Sequence, residues 1–250
     1  MTDCTVITIC RNAAATIART VASVLAQSRR PREYIFVDGA SADGTPDILE
    51  EHRPRLEAAG IAFRLICQRP LAPGEAGIPV AWNQGLAEAG ADVIALLNAD
   101  DWYAPGVLAS VLDAFDHDDA LDAAVLPVRL VRPDGGDAGL LPPRPLSRLP
   151  WLMPVPHPGC FFRRRVYERL GLYDTRYRIS ADYDFIWRCS KARLRWRYLD
   201  APTVHMQAGG AANSSRAIAR SETYRIARSH SSFLDPRPLL ARLFRALTGR

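Results

Sequence analysis

Apolar residues recur along the first hundred positions in two alternating patterns. Continuous apolar runs at Cys4 to Ile9, Tyr34 to Val37, Ile61 to Cys67 and Asp92 to Leu97 have strand length and read as strands covered on both faces. Between the first two, Ile17, Val21, Val24 and Leu25 fall at helical spacing among polar residues, which predicts an amphipathic helix lying on the sheet. After the second strand, Asp38 to Pro46 forms a glycine-bearing loop, with Thr45 placed to cap a helix and Pro46 at its first position. That helix runs to about Leu56. Leu71 to Gly77 reads as a loop and Ile78 to Glu88 as a helix leading into the fourth strand. Strands alternating with helices predict an α/β fold with a mostly parallel sheet.

Beyond Trp102 the alternation loosens. Pro105 opens a helix to about Phe115, and Ala123 to Val131 reads as one strand. Pro133 to Pro158 is rich in proline and glycine and reads as an irregular excursion of the kind that forms lids or binding loops. Order then returns with a helix at Arg164 to Leu170 ending at Gly171, and a helix from Ala181 to about Ser190 capped by Ser180. Trp196 to Leu199 and Thr203 to Met206 are short strand candidates. Gly209 to Ser215 reads as a flexible connection into a helix at Arg216 to Ser232. Finally, Leu239, Leu240, Leu243, Phe244 and Leu247 share one helical face opposite arginines.

At 250 residues and 48% hydrophobic content the chain can build a substantial core, as one large domain or two small ones. Its apolar runs are too short for a secretory leader or a membrane span. The five cysteines are widely spaced and sit mostly in apolar segments, so they read as reduced core residues of a cytosolic protein. Lys191 is the only lysine, and the net charge of +5 rests on arginine, which becomes denser toward the C-terminus. A solvated helical face explains that density more simply than a nucleic-acid site does.

Chemistry concentrates at Asn98-Ala99-Asp100-Asp101, directly after the apolar run Val93 to Leu97. In open α/β sheets ligands bind outside the carboxyl ends of the strands, where paired carboxylates repel unless a proton or cation compensates them. Oxygen ligands of this kind suit Mg²⁺ or Mn²⁺. A strand-ending turn with solvated acids is the simpler alternative. Parallel order brings Thr8 to Asn12, Asp38 and Asn98 to Asp101 to one sheet edge. Neither a Gly-x-Gly-x-x-Gly after the first strand nor a Walker lysine loop is present, which disfavours dinucleotide oxidoreductases and P-loop NTPases.

Together these stretches resemble the glycosyltransferase family 2 enzymes over about residues 3 to 210. Gln27-Ser28, Trp82-Asn83-Gln84-Gly85, His157 to Phe162, Gly171 to Asp174 and Ser180 to Asp184 follow in the family's order. The resemblance implies a GT-A fold over residues 1–212, with a nucleotide-binding half at 1–101 and an acceptor and catalytic half at 102–212. A helical, arginine-rich extension follows at 213–250. It implies inverting transfer of a sugar from a nucleotide-sugar donor, UDP-linked by preference, to a hydroxyl of a glycan or lipid-linked acceptor, with Mn²⁺ or Mg²⁺ as cofactor. Asp38 matches the acid that recognises the base, with an Asx-type turn residue as the plain reading. Thr8, Asn12, Glu75, Asn83, Asn98 and Asp101 fall on the donor side. Asn98 stands at the first position of the D-x-D motif and lacks its charge.

Asp100 matches the motif's metal ligand, and His205 falls where some relatives bring a further ligand. Asp182 matches the base that takes the acceptor's proton, with Asp184 as the alternative and a helix-start carboxylate as the plain reading. His157 and Arg188 fall on the acceptor side. Gly209 to Ser215 matches the segment that closes over substrate. Arg195-Trp196 lacks the glutamine of the processive synthases' Gln-x-x-Arg-Trp motif, which favours single addition. Two other readings stay open: a scaffold of the same fold without turnover, and a sugar-phosphate nucleotidyltransferase, whose glycine-rich loop and lysine are missing. The expected location is cytoplasmic, with residues 236–250 available for the inner membrane face or for a homodimer contact.

Overall fold

Along the second strand, Tyr34 and Phe36 pack into one hydrophobic core while Ile35 and Val37 pack into another, so the sheet is covered on both faces. The computed structural model describes residues 1–209, 215–232 and 235–248, with side chains described as far as residue 244. Its first half runs β1 (Cys4–Cys10), α1 (Ile17–Leu25), β2 (Glu33–Asp38), α2 (Thr45–Ala58), β3 (Ala62–Cys67), α3 (Gly77–Glu88) and β4 (Val93–Leu96). There follow β5 (Trp102–Tyr103), α4 (Val107–Asp116), β6 (Ala123–Val125), β7 (Val128–Val131), β8 (Asp137–Leu141), β9 (Cys160–Arg163), α5 (Arg164–Leu170) and α6 (Ala181–Lys191). The chain continues through β10 (Trp196–Tyr198), β11 (Val204–Gln207), α7 (Arg216–His230) and α8 (Arg237–Thr248).

Seven strands form the main sheet in the order β10-β6-β9-β4-β1-β2-β3, and β9 alone is antiparallel to its neighbours. Register sets Cys10 beside Asp38 and Asp38 beside Cys67, so the ends of β1, β2 and β3 share one edge with the end of β4. At the opposite edge the buried carboxylate of Glu33 accepts from the Thr5 hydroxyl at 2.6 Å and from the Gly90 and Ala91 N–H groups at 2.6 and 3.1 Å. Burying that acid is tolerable because its hydrogen bonds are made.

Several local expectations change, the capping of α6 by the Ser180 side chain among them. Thr45 is the first residue of α2, not its cap: Gly44 takes the preceding left-handed turn at φ +83°, and the Asp43 carboxylate accepts the Thr45 N–H at 3.1 Å. The single strand expected at Ala123 to Val131 is broken at Leu126-Pro127, where the chain leaves the main sheet. The second part, β7, joins a smaller sheet ordered β5-β11-β7-β8, whose β8 lies inside the region expected to be irregular.

The crossing of β9 past this break depends on Gly159. A Cβ there would lie 2.4 Å from the Leu126 carbonyl oxygen, a backbone atom that cannot turn aside. Gly159→Ala is therefore expected to cost about 1–3 kcal/mol, seen as a lower urea midpoint at unchanged slope. An unchanged midpoint would mean that the backbone yields freely.

All five cysteines are free thiols, four of them buried. Helix α8 buries Ala241 and lays Arg242 over the Tyr224 ring at 4.6 Å, yet Leu239, Leu240, Leu243 and Phe244 are exposed. Leu247 and residues 210–214 of the expected closing segment lie outside what the structure describes. Among the described residues no helix is long and apolar enough to cross a membrane.

Candidate active site

The loops after β1 and β2 are fastened to each other at the carboxyl edge of the sheet. Ser41 donates its N–H to one Asp38 oxygen at 2.9 Å and its hydroxyl to the other at 2.5 Å, and the Cys10 thiol lies 3.6 Å from the latter. Asn12, at φ +53°, gives its N–H to the Ser41 hydroxyl at 2.8 Å and accepts the Ala42 N–H at 2.9 Å. The turn reading of Asp38 is thus realised, and the oxygen that accepts only the Ser41 N–H keeps a further lone pair.

Beside these loops opens a cleft of about 850 Å³, lined among others by Cys10, Arg11, Gln68, Glu75, Arg176 and Arg178. Hydrogen bonds from Arg69, at 2.7 Å to each oxygen, together with the Ala72 N–H, hold the Glu75 carboxyl down at about 2. Glu75 keeps its place at the cleft while being paired within its own loop. Arg11 and Arg178 add positive charge that the motif reading missed. Their signal was an arginine directly after β1 and another just ahead of α6.

At the end of β4 the two acids part company. Asp101 is 1% exposed; it accepts from the Asn98 side-chain amide at 3.0 Å and the Gln207 N–H at 3.3 Å. Burial, with the charge of Asp100 beside it, pushes its carboxyl up to about 8. Buried so, it ties the loop to β11, and its expected donor-side place is taken up by these bonds, as is the Asn98 Nδ2. Asp100 is half-buried, and burial raises its carboxyl against the opposing pull of its own backbone and Arg19. Arg19, unnoticed in the sequence, donates to the Asp100 carbonyl oxygen at 3.1 Å and to Gln207 at 2.7 Å, and stacks on Trp102 at 3.7 Å.

His205 lies opposite Trp102 in the small sheet, with the rings edge to face at 5.2 Å. Burial, assisted by Arg129 and Arg19, lowers its pKa, which leaves the imidazole neutral at pH 7 and able to ligate. No group of three metal-ligating side chains gathers among the described residues. Mg²⁺-like cations commonly take one or two carboxylates plus substrate phosphate. The half-buried Asp100 carboxylate therefore fits a cation shared with a diphosphate, and not an all-protein cage.

Asp182 sits in the first turn of α6, half-buried, accepting the Tyr183 N–H at 2.7 Å. Burial pushes its carboxyl up to about 6, and Glu222 adds to the rise. Asp184 differs: burial would raise it, but His230 at 2.8 Å and Arg188 at 2.9 Å hold it below the ordinary carboxylate value. Both of its oxygens are taken, so it cannot stand in for Asp182.

Four other expected residues serve the fold. Thr8 is fully buried, 3.0 Å from the Tyr34 hydroxyl, because it points to the core face of β1. The Asn83 amide is paired with the Tyr173 backbone at 2.8 and 3.0 Å. His157 is buried against Trp82 with its Nε2 3.0 Å from the Tyr173 hydroxyl, and burial lowers it to about 4. Arg188 donates to the Leu170 and Leu172 carbonyls at 2.7 and 2.8 Å as well as to Asp184, so its guanidinium ties α6 to the chain after α5. Each of the four thus spends hydrogen bonds on the fold.

Residues 5–172 match the family described as glycosyl transferase family 2. A PGL/p-HBAD biosynthesis glycosyltransferase from Mycobacterium bovis BCG, and its counterpart from Mycobacterium tuberculosis, are each 30% identical over 206 residues, 81% of this chain and 76% of theirs. Among solved structures, Staphylococcus aureus TarS 1–349 in complex with UDP-GlcNAc superposes with a TM-score of 0.70 at 16% identity. The match covers 91% of this chain and 65% of the TarS chain, so this chain spans less than two thirds of that protein fragment. The mannosyltransferase PcManGT from Pyrobaculum calidifontis, in complex with GDP-Man and Mn²⁺, gives 0.66 at 17% identity over 100% of this chain and 78% of its own. At such identities the structural likeness carries the fold alone. The chain belongs to glycosyl transferase family 2, and its fold is GT-A.

Proposed function

We propose that this chain is an inverting, metal-dependent glycosyltransferase that takes a sugar from a nucleotide donor and places it on a hydroxyl of a glycan or lipid-linked acceptor. The observation that carries this reading is a contrast among carboxylates. Glu75, Asp101 and Asp184 accept from protein side chains, whereas Asp100 and Asp182 are half-buried and bonded among the described residues only to backbone. Desolvated carboxylates whose oxygens meet no protein side-chain donor are characteristic of functional sites.

On this reading the donor's nucleotide occupies the cleft at the ends of β1 and β3, with the lining residues Arg11 and Arg178 toward its phosphates and Asp38, in the adjoining loop, toward the base. Asp100 would hold the divalent cation, with His205 as the further candidate ligand. The cation's chemistry there is to neutralise charge on the departing nucleoside diphosphate. Asp182 takes the proton of the acceptor hydroxyl as that oxygen bonds to the anomeric carbon. The bond to the diphosphate breaks on the opposite face, and configuration inverts. A raised proton affinity suits this task, since a base works best with a pKa near the operating pH.

The UDP-GlcNAc and GDP-Man bound by the two structural relatives define the first donors to try. A thermal-shift series with UDP-, GDP- and dTDP-sugars, with and without Mn²⁺, is expected to single out one nucleotide that raises the melting temperature only when Mn²⁺ is present. At a hundredfold excess over its Kd such a ligand stabilises by about 2.7 kcal/mol. No shift with any of them contradicts the proposal. A shift without turnover would favour the non-catalytic scaffold.

A further inference from the structure

Helix α6 has Ser180 at its N-cap position, yet the Ser180 side chain makes no capping hydrogen bond. Its hydroxyl turns to α7, 3.4 Å from the Ala219 carbonyl oxygen and 3.5 Å from the Thr223 hydroxyl. The backbone donors leading into the helix are taken by a distant carboxylate. Glu222 of α7 accepts the N–H groups of Arg178 at 2.7 Å, Ile179 at 2.9 Å and Ser180 at 2.9 Å. Glu222 is only 6% exposed, so these bonds stand in place of water, and a carboxylate accepting several buried N–H groups is held firmly. The same two helices are joined again where His230 meets Asp184 at 2.8 Å and stacks on Trp187 at 5.6 Å. Helix α7 thus grips α6 immediately before and immediately after Asp182.

We propose that Glu222 is a positioning residue for glycosyl transfer: from α7 it fixes the Arg178–Ser180 turn, and so sets where the first turn of α6 holds Asp182. The proposal rests on the reading of Asp182 as the base. Orientation has a large effect on rate, since a misplacement of about 1 Å can cost on the order of 10²-fold. The same contact places an acid beside the base. The groups acting on Asp182 are Glu222 from α7, the Cys160 thiol from β9, and the Tyr183 N–H on its own helix. Burial keeps Cys160 a neutral thiol, which leaves Glu222 as the acidic neighbour that favours proton uptake by Asp182. Neither α7 nor Glu222 falls within the stretch matched by the family, so nothing in the motif order points to this residue.

Glu222→Gln keeps the size of the side chain and replaces one acceptor oxygen by a donor that opposes the backbone N–H groups. With whichever nucleotide sugar of the UDP-, GDP- and dTDP-linked panel the natural chain turns over fastest, kcat is expected to fall about tenfold or more at nearly constant KM. In carbon-13 spectra of aspartate-labelled protein, the Asp182 carboxyl midpoint is expected to move to lower pH. A merely structural role would lower the melting temperature without moving that midpoint. Wild-type kcat overturns the proposal, whether or not the midpoint moves. Should the glutamine variant fail to fold, Glu222→Asp keeps the charge with shorter reach and is expected to lose kcat while keeping the midpoint; wild-type kcat there overturns it equally. Asp182→Asn separates the two readings, because full transfer in that variant removes the base assignment itself, whereas an inactive Asp182→Asn beside a fully active Glu222→Gln removes only the positioning role.

Discussion

Asp182→Asn is expected to reduce transfer by about 10²–10⁴-fold while changing donor affinity by no more than about twofold. Asparagine keeps the shape and can still accept the Tyr183 N–H, so the loss isolates proton acceptance. In the natural chain the base must be ionised, and burial has raised Asp182 to about 6. Rate should therefore be flat above pH 6 and fall about tenfold per pH unit below it, a limb that the asparagine variant lacks. Linkage gives an independent sign. A carboxylate raised above its unfolded value binds its proton more tightly in the native state, so between about pH 6 and pH 4 the contribution of Asp182 to stability rises as pH falls. At neutral pH the ionised Asp182 weakens the fold, and Asp182→Asn should melt higher than the natural chain. Transfer near the natural rate, or a lower melting temperature at pH 7, would count against Asp182 as a buried base.

Asp100→Ala is expected to remove the Mn²⁺-linked part of donor binding, weakening the nucleotide sugar at least about tenfold, or 1.4 kcal/mol, with Mn²⁺ no longer making a difference. Asp101 cannot compensate, because its oxygens are turned inward to Asn98 and Gln207. The Asn98 Nδ2 is spent on Asp101, and its neutral Oδ1 carries no charge to replace that of Asp100. Titration calorimetry with and without Mn²⁺ reads the effect directly. Unchanged Mn²⁺-linked affinity would move the cation site elsewhere.

The parts of the fold legible in the sequence are those whose signal is local. Strands β1 to β4 announce themselves as apolar runs, and α1 by the spacing of Ile17, Val21 and Val24, all three of them buried. Pro127 gave no comparable notice that one apolar run serves two sheets, because leaving the main sheet is decided by what β9 and β11 pair with. At the site, strand-end acids were visible from position alone. Whether each one faces a ligand was not. Thr8 and Asp38 lie on the same β1–β2 edge, yet alternation along β1 turns Thr8 to Tyr34 in the core. Asn83 meets its partner Tyr173 across 90 residues, and Glu222 meets Ser180 across 42. Contacts of that range leave no pattern in a single sequence, so polar residues spent on the fold look the same there as polar residues kept for a substrate.

The most direct test of the account is a crystal structure of the chain with a nucleotide sugar and Mn²⁺. The expected result is a cation bonded to the Asp100 carboxylate and to the donor diphosphate, with the nucleotide in the cleft beside Arg11 and Arg178. The anomeric carbon should face the Asp182 carboxylate. A cation held without Asp100, or a sugar whose anomeric carbon faces away from Asp182, would contradict it.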